Sequence, residues 1–536
     1  MSKGPRTRAM ECVLVCALFV VAFVPVVVTA NDYGITYDEP HYASAGVSYA
    51  EWWARVFRAD LRAFRRDEIE ETWGLNHEHP PLQKCSSGFA QRWLGDVLPG
   101  LAAMRLPSGV WFALAVCALY LFGRRAWGRR GGFFAALAFA AMPRVTAHAH
   151  FVALDMAITA WFFITAALTA EALRRDSWPW TAAAGLSFGL ALMAKLNAFF
   201  LPAMLIPWGL VYYRTRWPKL AAALVLIGPA VFWLGWPWLW IDSVPHLGEY
   251  LGFHLRHAAY NVWYLGRLYR YAPWHYPFVM TAVATPTVVL VLALMGAALA
   301  CPRRGRTPER ALLLFGLAIA LLPSALPTSP KYNGVRLFLP TFPFLAALAG
   351  GGFAWLQGLV ARNARAGRPR RGTLSALICA ALGAVLLSPG VRGVIATHPY
   401  QLAYYNALAG GSEGATRRGF EAIYWGQVFE EAPAFLNAVE QTSPRVLLIP
   451  KGVIYLLEFQ QQTGVLRSDV EFTGDSAEAG SVDYVMFQAM QSDYTDLCWS
   501  LVEGEEPAWA VRLGRTPLLL VYDREAVAEA LRGLSP

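Results

Sequence analysis

Long apolar stretches recur along the first 390 residues of the chain, and short polar segments separate them. A helix needs about 17–25 mostly apolar residues to cross the roughly 30 Å hydrocarbon layer of a membrane. The lengths of these stretches therefore predict membrane-spanning helices. The predicted spans lie at residues 11–30, 107–123, 131–146, 155–172, 180–194, 197–213, 219–240, 277–300, 310–327, 336–357 and 373–390.

The spacing of these 11 spans adds two expectations. The fifth and sixth are joined so tightly that one of them is a candidate re-entrant segment. No internal repeat is visible, although many transporters are built from repeats.

The pattern changes after residue 390. Short runs such as "RVLLIP", "VDYVMFQ" and "PLLLVYD" are typical of strands, and they alternate with helix-like stretches such as residues 430–440. The fold class predicted is thus mainly α, a polytopic helical membrane protein with a small C-terminal α/β domain. Residues 1–390 would form the transmembrane domain, with residues 31–106 as its first outer loop, and residues 391–536 would form the second domain.

Composition agrees with a membrane protein. Hydrophobic residues make up 56% of the chain and charged residues 15%, with a mean hydropathy of +0.36. Soluble domains are about one quarter charged. The chain is therefore predicted to lie in the inner (plasma) membrane and to cross it many times.

The distribution of charge sets the predicted orientation. The net charge is +9, but residues 391–536 hold 10 Lys/Arg against 19 Asp/Glu. The positive charge is concentrated in short tracts between spans, which mark cytoplasmic loops and make nucleic-acid binding a poor explanation. The N-terminus is predicted inside, and the first loop and C-terminal domain outside. The tracts, with 21 of the 46 Lys/Arg, are 3–8, 124–130, 174–175, 214–219, 303–310 and 362–371.

The first outer loop contains two compact polar groups. "ITYDEPHYASAG" places Asp38, Glu39 and His41 directly after the first span, and "HEHPPLQK" contains His79 and Lys84. Acids just outside a span are more often solvated loop residues. The clustering of both groups in one loop favours a functional site.

Five segments, taken together, match the motifs of one family in order. They are "DEPHY", "HPPLQK", "PRVTAHAHFVALDMAITAWFF", "GLALMAKLNAFFLP" and "KYNGVRLFLPTFPFLAALAG". On these segments the chain resembles the protein O-mannosyltransferases and their bacterial relatives, including the aminoarabinose transferases of lipid A. The resemblance covers about residues 11–390 and implies a GT-C type membrane glycosyltransferase that uses polyprenyl-phosphate sugars.

The resemblance implies roles for the acidic loop. Asp38, as the first acid of the pair, would be the base that takes the acceptor's hydroxyl proton. Glu39 and His41 would orient that base or the acceptor. The plainer alternative for His41 is a hydrogen-bonded loop histidine.

Other residues are expected to bind substrate. Arg336 and Lys331, with Lys195, would bind the donor's phosphate, although the first two could instead reach lipid head groups. Asp155 is expected to pair with Lys84, Lys195 or an arginine, or to hold the sugar, because an ionisable group at a span is a functional candidate. His79 and Lys84 complete the predicted substrate-binding set.

Metal binding is left open by the sequence. Imidazole and carboxylate groups suit Zn²⁺, and candidates are present in the first outer loop and between the predicted spans 131–146 and 155–172. No cofactor is expected to be required, and a divalent metal is an alternative. The candidate ligands are His77, Glu78, His79, His148 and His150.

The predicted function is inverting transfer of a hexosyl or pentosyl group from a polyprenyl-phosphate donor. The acceptor would be a protein, lipid A or another envelope glycan outside the cytoplasm, and membrane lipids are the remaining expected partners. The alternatives are a lipid or glycan transporter and a non-catalytic envelope scaffold. The transporter is disfavoured because the acids lie in outer loops rather than along the spans.

Overall fold

The computed structural model describes residues 5–256, 260–301, 307–365 and 372–534. Parts of the predicted basic tracts 3–8, 303–310 and 362–371 lie outside the described residues. About 70% of the chain is helical, which confirms the predicted fold class. The α-helices are α1 (Pro5–Val28), α2 (Glu39–Phe57), α3 (Arg66–Trp73), α4 (Leu82–Leu94), α5 (Ala102–Ala140), α6 (Pro143–His148), α7 (Leu154–Arg175), α8 (Trp178–Ala194), α9 (Leu201–Tyr212), α10 (Trp217–Ala221), α11 (Gly228–Gly235), α12 (Ser243–Leu255), α13 (Tyr276–Ala284), α14 (Thr287–Ala300), α15 (Pro308–Ala325), α16 (Thr341–Arg365), α17 (Gly372–Ala396), α18 (Gly411–Arg417), α19 (Ala432–Leu436), α20 (Ile454–Gln462), α21 (Asp496–Gly504) and α22 (Arg524–Leu534).

Every predicted span corresponds to helix in the structure, but fewer helices are long enough to cross a membrane individually. By length and apolar composition, seven of the described helices qualify, or eight if the bent pair α13–α14 is one span. The chain bends by 120° at the break between these two helices. Helices α8 and α9, from the tightly joined fifth and sixth predicted spans, have 17 and 12 residues, so α8 is at the lower limit for a crossing and α9 is below it.

The long helix α5 contains the predicted span 107–123 and the first ten residues of the predicted span 131–146. Its helical dihedrals break at Gly128, where φ is +84° and ψ is 169°. The two halves pack closely on either side of this break. A Cβ added at Gly123 would lie only 2.9 Å from the Cα of Gly132. Glycine is required at both kinds of position, one for its dihedrals and one for close packing.

Arginines of the two basic tracts 124–130 and 174–175 gather at one end of α7. Arg125, Arg174 and Arg175 surround the carboxylate of Glu171 near the end of α7. Asp155 lies 16 residues earlier on the same helix, which corresponds to about 24 Å at 1.5 Å per residue. The cluster and the opposite end of the helix are thus separated by most of the thickness of a hydrocarbon layer.

The C-terminal region contains a mixed five-stranded sheet, as the strand-like runs predict. Its order is β4-β3-β5-β7-β6, with β3 parallel to both of its neighbours and β7 antiparallel to both of its own. A separate hairpin, β1 and β2, precedes α13. The strands are β1 (Val262–Tyr264), β2 (Arg267–Tyr269), β3 (Arg445–Ile449), β4 (Glu471–Thr473), β5 (Tyr484–Gln488), β6 (Trp509–Leu513) and β7 (Thr516–Asp523).

A segment between α17 and this sheet packs onto the helical part of the chain. The backbone N–H of Tyr37 donates to the carbonyl of Trp425 at 3.1 Å, and the Tyr455 hydroxyl donates to the carbonyl of Tyr37 at 2.5 Å. The amide of Asn406 donates to carbonyls of α13 and the residue after it. These contacts fix the sheet directly over the first outer loop.

Candidate active site

A cavity of about 830 Å³ opens between the first outer loop, the helical part and the C-terminal region. Its lining combines polar and apolar side chains. The polar ones include Asp38, His79, Lys195, Asn333, Arg336, Trp425 and Asp493. The apolar ones include Phe162, Leu196, Phe200, Ile319, Ala320, Pro323, Leu326 and Leu337.

Asp38 is the acid of the predicted pair that reaches the cavity. It is the N-cap of α2, but its carboxylate makes no capping bond to the helix and is 27% exposed. Its Oδ2 accepts hydrogen bonds from Arg336 and, at 3.2 Å, from Nε1 of Trp425. The carboxylate is therefore held in place while part of it faces the cavity.

Glu39 is completely buried and faces away from the cavity. Arg105 donates to its two carboxylate oxygens from Nε and Nη2, each at 2.9 Å. Backbone N–H groups of Thr36 and Val152 donate at 2.9 Å as well. These bonds occupy the carboxylate, so Glu39 can position Asp38 but cannot touch a substrate.

Arg105 was missed by sequence reasoning. Besides Glu39, it donates to the carbonyls of Ala30, Tyr33 and Gly34. Arg105 therefore holds the segment before Asp38 against α5. The only signal in the sequence is an arginine at the start of a predicted span. Such an arginine is usually explained by lipid contact.

Asp155 holds the two cations of the site. It is fully buried, accepts from Lys195 Nζ at 2.6 Å through one oxygen and from Arg336 Nε at 3.0 Å through the other. Of the predicted partners it therefore pairs with Lys195 and an arginine and not with Lys84. Both cations line the cavity, whereas Asp155 lies behind them.

Trp425 is a further residue that sequence reasoning did not single out. It comes from the C-terminal region, and the guanidinium of Arg336 lies 4.3 Å from its ring centre. Its backbone has a φ of +79°, which is rare for a bulky side chain and typical of constrained functional positions. Its contact with Asp38 spans 387 residues, so no local pattern indicates it.

His79 lines the cavity, as its predicted role requires. Burial lowers its pKa well below the usual range, so the ring is neutral near pH 7. Its Nδ1 is buried and has no hydrogen-bond partner among the described residues. That nitrogen can donate to or accept from a ligand in the cavity.

Lys84 and His41 lie elsewhere. The ammonium of Lys84 is buried and donates to the carbonyls of Asn76 and His79, each at 2.6 Å, so it holds the 76–79 turn instead of lining the cavity. Burial lowers its pKa to about 7. His41 is exposed beside Tyr455, with 5.7 Å between ring centres, and does not line the cavity. Neither residue thus lines the cavity, although Lys84 was predicted to bind substrate and His41 to orient Asp38 or the acceptor.

Lys331 also differs from its predicted role as a partner of Arg336. Its Nζ donates to the carbonyls of Leu326 and Ser329, at 2.6 and 3.1 Å. These acceptors belong to the same loop, and Lys331 is not among the residues that line the cavity. Lys331 therefore stabilises the loop that precedes Arg336.

The candidate metal ligands are dispersed. Nε2 of His77 is 2.9 Å from Glu249, and His150 bonds to the carbonyl of Thr146. Among residues 5–256, 260–301, 307–365 and 372–534, no three His, Cys, Asp or Glu residues are arranged to hold a metal ion. The expectation that no cofactor is needed remains a prediction.

Comparison with known proteins gives one family and several structures. Residues 93–236 match the family model described as dolichyl-phosphate-mannose-protein mannosyltransferase. Two structures of ArnT from Cupriavidus metallidurans match with a TM-score of 0.50. The one bound to undecaprenyl phosphate is 15% identical and covers 97% of this chain and 98% of its own. The apo state is 17% identical over 97% and 99%.

A more distant match is the apo oligosaccharyltransferase of Archaeoglobus fulgidus, with a TM-score of 0.49 and 12% identity over 88% of this chain and 69% of that one. No curated protein matches the chain. The ArnT structures extend over nearly the whole of both chains, so the likeness includes the C-terminal region that the sequence motifs left unexplained. The chain therefore has the fold of the GT-C type membrane glycosyltransferases and resembles the protein O-mannosyltransferase and aminoarabinose transferase families.

Proposed function

We propose that this protein is an inverting glycosyltransferase that moves a sugar from a polyprenyl-phosphate donor to a hydroxyl group outside the cytoplasm. The observation that carries the proposal is the composition of the cavity. A partly exposed carboxylate, Asp38, and two cations, Arg336 and Lys195, line it together with many apolar side chains. A lipid-linked sugar phosphate likewise combines a polar sugar, an anionic phosphate and an apolar prenyl chain.

Each part of the donor would bind to residues of matching character in the cavity. Its prenyl chain fits the apolar side between Phe200 and Ile319, and its phosphate fits beside Arg336 and Lys195. A guanidinium binds two phosphate oxygens through paired N–H groups, and an ammonium adds a second positive charge. The sugar would then project toward Asp38. The undecaprenyl phosphate in the ArnT structure is consistent with a donor of this class.

The proposed reaction is one displacement. The acceptor oxygen attacks the anomeric carbon, and its proton passes to the carboxylate of Asp38. The bond between the anomeric carbon and the phosphate oxygen breaks, and polyprenyl phosphate leaves with the electron pair. Attack opposite the leaving group inverts the anomeric configuration.

The cations would stabilise the leaving group. Negative charge grows on the phosphate as its bond to the sugar breaks, and Arg336 and Lys195 are positioned before the reaction begins by their bonds to Asp155. Glu39 and Arg105 would act indirectly by fixing the segment that carries Asp38. No cofactor is needed in this scheme.

A genetic experiment tests the proposal without knowledge of either substrate. Envelope glycolipids and glycoproteins would be compared by mass spectrometry between the parent strain, a deletion strain, and deletion strains carrying wild-type, Asp38→Asn or Asp32→Asn protein. Asp32 is a matched control because it lies in the same loop, is 48% exposed and pairs with His398. We expect one glycosylated species in the parent, wild-type and Asp32→Asn samples only.

Two results would contradict the proposal. One is a deletion strain that retains every glycosylated species of the parent. The other is full restoration of the missing species by Asp38→Asn. Immunoblots of the membrane fraction would show equal amounts of each variant, so that a loss reflects chemistry.

A further inference from the structure

The charges that line the cavity are unevenly distributed. Four charged side chains line it among the described residues, namely Asp38, Lys195, Arg336 and Asp493. Both cations are ion-paired with Asp155 or Asp38. A donor phosphate bound there would add negative charge to groups that are already balanced. No other Lys or Arg among the described residues lines the cavity to hold a second anionic ligand.

Asp493 is the acid that this arrangement leaves unpaired. It belongs to a short turn after β5, on the C-terminal wall of the cavity, and has no ion-pair partner among the described residues. Burial raises its pKa to about 6, with a hydrogen bond from Gln488 acting in the opposite direction. At neutral pH it is therefore mostly a carboxylate that accepts hydrogen bonds.

A chain of contacts connects Asp493 with the proposed base. Trp425 donates to Asp38, and the next residue, Gly426, donates its backbone N–H to Oε1 of Gln488 at 3.2 Å. The amide nitrogen of Gln488 donates to the hydroxyl of Tyr37 at 2.6 Å and also contacts Asp493. Asp493 is thus connected with Asp38 through Gln488 and the Trp425–Gly426 turn, and not through Asp155 and its cations.

The other residues that line the cavity indicate which chemistry fits there. The backbone N–H of Asp493 donates to the carbonyl of Met490 at 2.9 Å, and the amides of Asn261 and Asn333, which can both donate and accept, line the same cavity. Several hydroxyl groups on one molecule could bond to the carboxylate and the amides together. A phosphate group bound beside Asp493 would instead be repelled by the unpaired negative charge of the carboxylate.

We propose that Asp493 and its neighbours form the acceptor subsite, and that the acceptor is a saccharide without a phosphate next to the hydroxyl that reacts. Asp493 accepts a hydrogen bond from a second hydroxyl of this saccharide and so orients the reacting hydroxyl toward Asp38. It takes no proton in the reaction. The inference rests on the proposed function and narrows its acceptor class.

The test uses two carboxylate variants and one control. Asp493→Asn keeps the size of the side chain and removes its charge, Asp493→Ala removes the acceptor atoms, and Glu503→Gln changes an exposed carboxylate of the same region. Each would be expressed in the deletion strain, and the glycosylated species would be quantified by mass spectrometry. The purified proteins would also be titrated with undecaprenyl phosphate, and thermal unfolding would check their folding.

We expect Asp493→Asn and Asp493→Ala to lower the product at least tenfold, with undecaprenyl phosphate affinity within twofold of wild type. Glu503→Gln should match wild type in both measurements. The wild-type product should be a glycosylated saccharide whose modified residue carries no neighbouring phosphate. This combination supports the subsite, because lost folding or lost donor binding would change the affinity too.

Four results would overturn the inference. Asp493→Asn could keep wild-type product levels, or lose donor affinity together with product, which would assign Asp493 to the donor. The product could be a glycosylated protein, or a saccharide modified beside a phosphate. Failure of the proposed function is a different result, since then deletion removes no species or wild-type protein does not bind undecaprenyl phosphate.

Discussion

Asp38 and Glu39 are adjacent residues in very different surroundings. The carboxylate of Asp38 is 27% exposed toward the cavity, whereas that of Glu39 is fully buried against Arg105. A carboxylate needs an accessible oxygen to take a proton from a substrate. The two acids of one motif are thus assigned different tasks, with Asp38 facing the reaction and Glu39 fixing the backbone around it.

The first prediction concerns the stability of this pair. Glu39→Gln leaves the buried guanidinium of Arg105 without its countercharge, and breaking a buried ion pair costs about 3–5 kcal/mol. We expect the free energy of unfolding in detergent to fall by about this amount. Glu51→Gln, an exposed glutamate on the same helix, is the control and should change it by less than about 0.5 kcal/mol. Equal stability of both variants would mean that the pair is not a structural anchor.

The second prediction concerns donor binding by Arg336. Arg336→Ala should weaken the use of donor far more than the use of acceptor, and the loss should persist at saturating acceptor. Arg336→Lys should recover only part of the activity, because an ammonium lacks the paired N–H groups. Rates measured against donor concentration in detergent check this expectation. Arg270→Ala, an exposed arginine of the β1–β2 hairpin region, is the control, and near-normal donor dependence of Arg336→Ala would end the assignment.

The sequence indicates these residues to different degrees. The "DEPHY" motif and the ionisable positions at span ends point to Asp38, Asp155 and Arg336, and the structure brings these three together. Sequence cannot distinguish a lysine that lines a cavity from one that binds its own loop, as Lys331 does. That difference depends on where the chain turns after α15, which no short motif specifies.

At the scale of elements, the site depends on a turn in the segment between α18 and α19. This turn places Trp425 between Arg336 and the ring of His148, whose centre is 5.2 Å from that of Trp425. Gly426 follows with a φ of +82°, and a Cβ there would lie 2.3 Å from the ring of Tyr37. The conformation of the turn is therefore set by packing against the first outer loop.

The third prediction tests this turn. Trp425→Phe keeps a ring against Arg336 but removes the hydrogen bond to Asp38, and a bond to a charged group contributes about 1.5–3 kcal/mol. We expect kcat to fall about tenfold in Trp425→Phe and further in Trp425→Ala, with the KM for donor changed less in Trp425→Phe. Steady-state rates of the purified variants provide the measurement.

Trp499→Phe is the matched control for this experiment. Trp499 packs on Trp263 in the same C-terminal region and does not line the cavity. It should retain wild-type rates. If Trp425→Phe does so as well, the hydrogen bond to Asp38 has no role in turnover.

Short helices explain why span counting from sequence and from structure differ. α8 and α9 are apolar throughout but have 17 and 12 residues, and α13 and α14 form a bent pair. Hydropathy reports the apolar character of these segments but not their path. Bends at such places bring Lys195, which follows α8 directly, to the cavity.

For the whole molecule, α7 connects two functional ends. Asp155 in its first turn belongs to the candidate site, and Glu171 near its last turn is paired with three arginines, one from α5 and two from the end of α7 itself. Tracts rich in arginine remain on the cytoplasmic side of membranes. The site at the opposite end would then face outward, together with the C-terminal region that covers it.

The fourth prediction tests this orientation. A reporter enzyme that is active only in the periplasm, fused after Pro536, should be active. The same reporter fused within the basic tract 214–219 should be inactive and serves as the control. An inactive reporter at Pro536 would place the C-terminus in the cytoplasm and so require an even number of membrane crossings. The α8–α9 pair would then be the first place to re-examine.

The most direct test of the central claim is the turnover of purified Asp38→Asn with the donor and acceptor that the strain comparison identifies. Losing a well-placed base typically lowers the rate by about 10²–10⁴-fold. We predict a decrease of this size in kcat, with wild-type affinity for undecaprenyl phosphate and an unchanged unfolding temperature. Turnover within a few-fold of wild type would contradict the assignment of Asp38 as the base of the reaction.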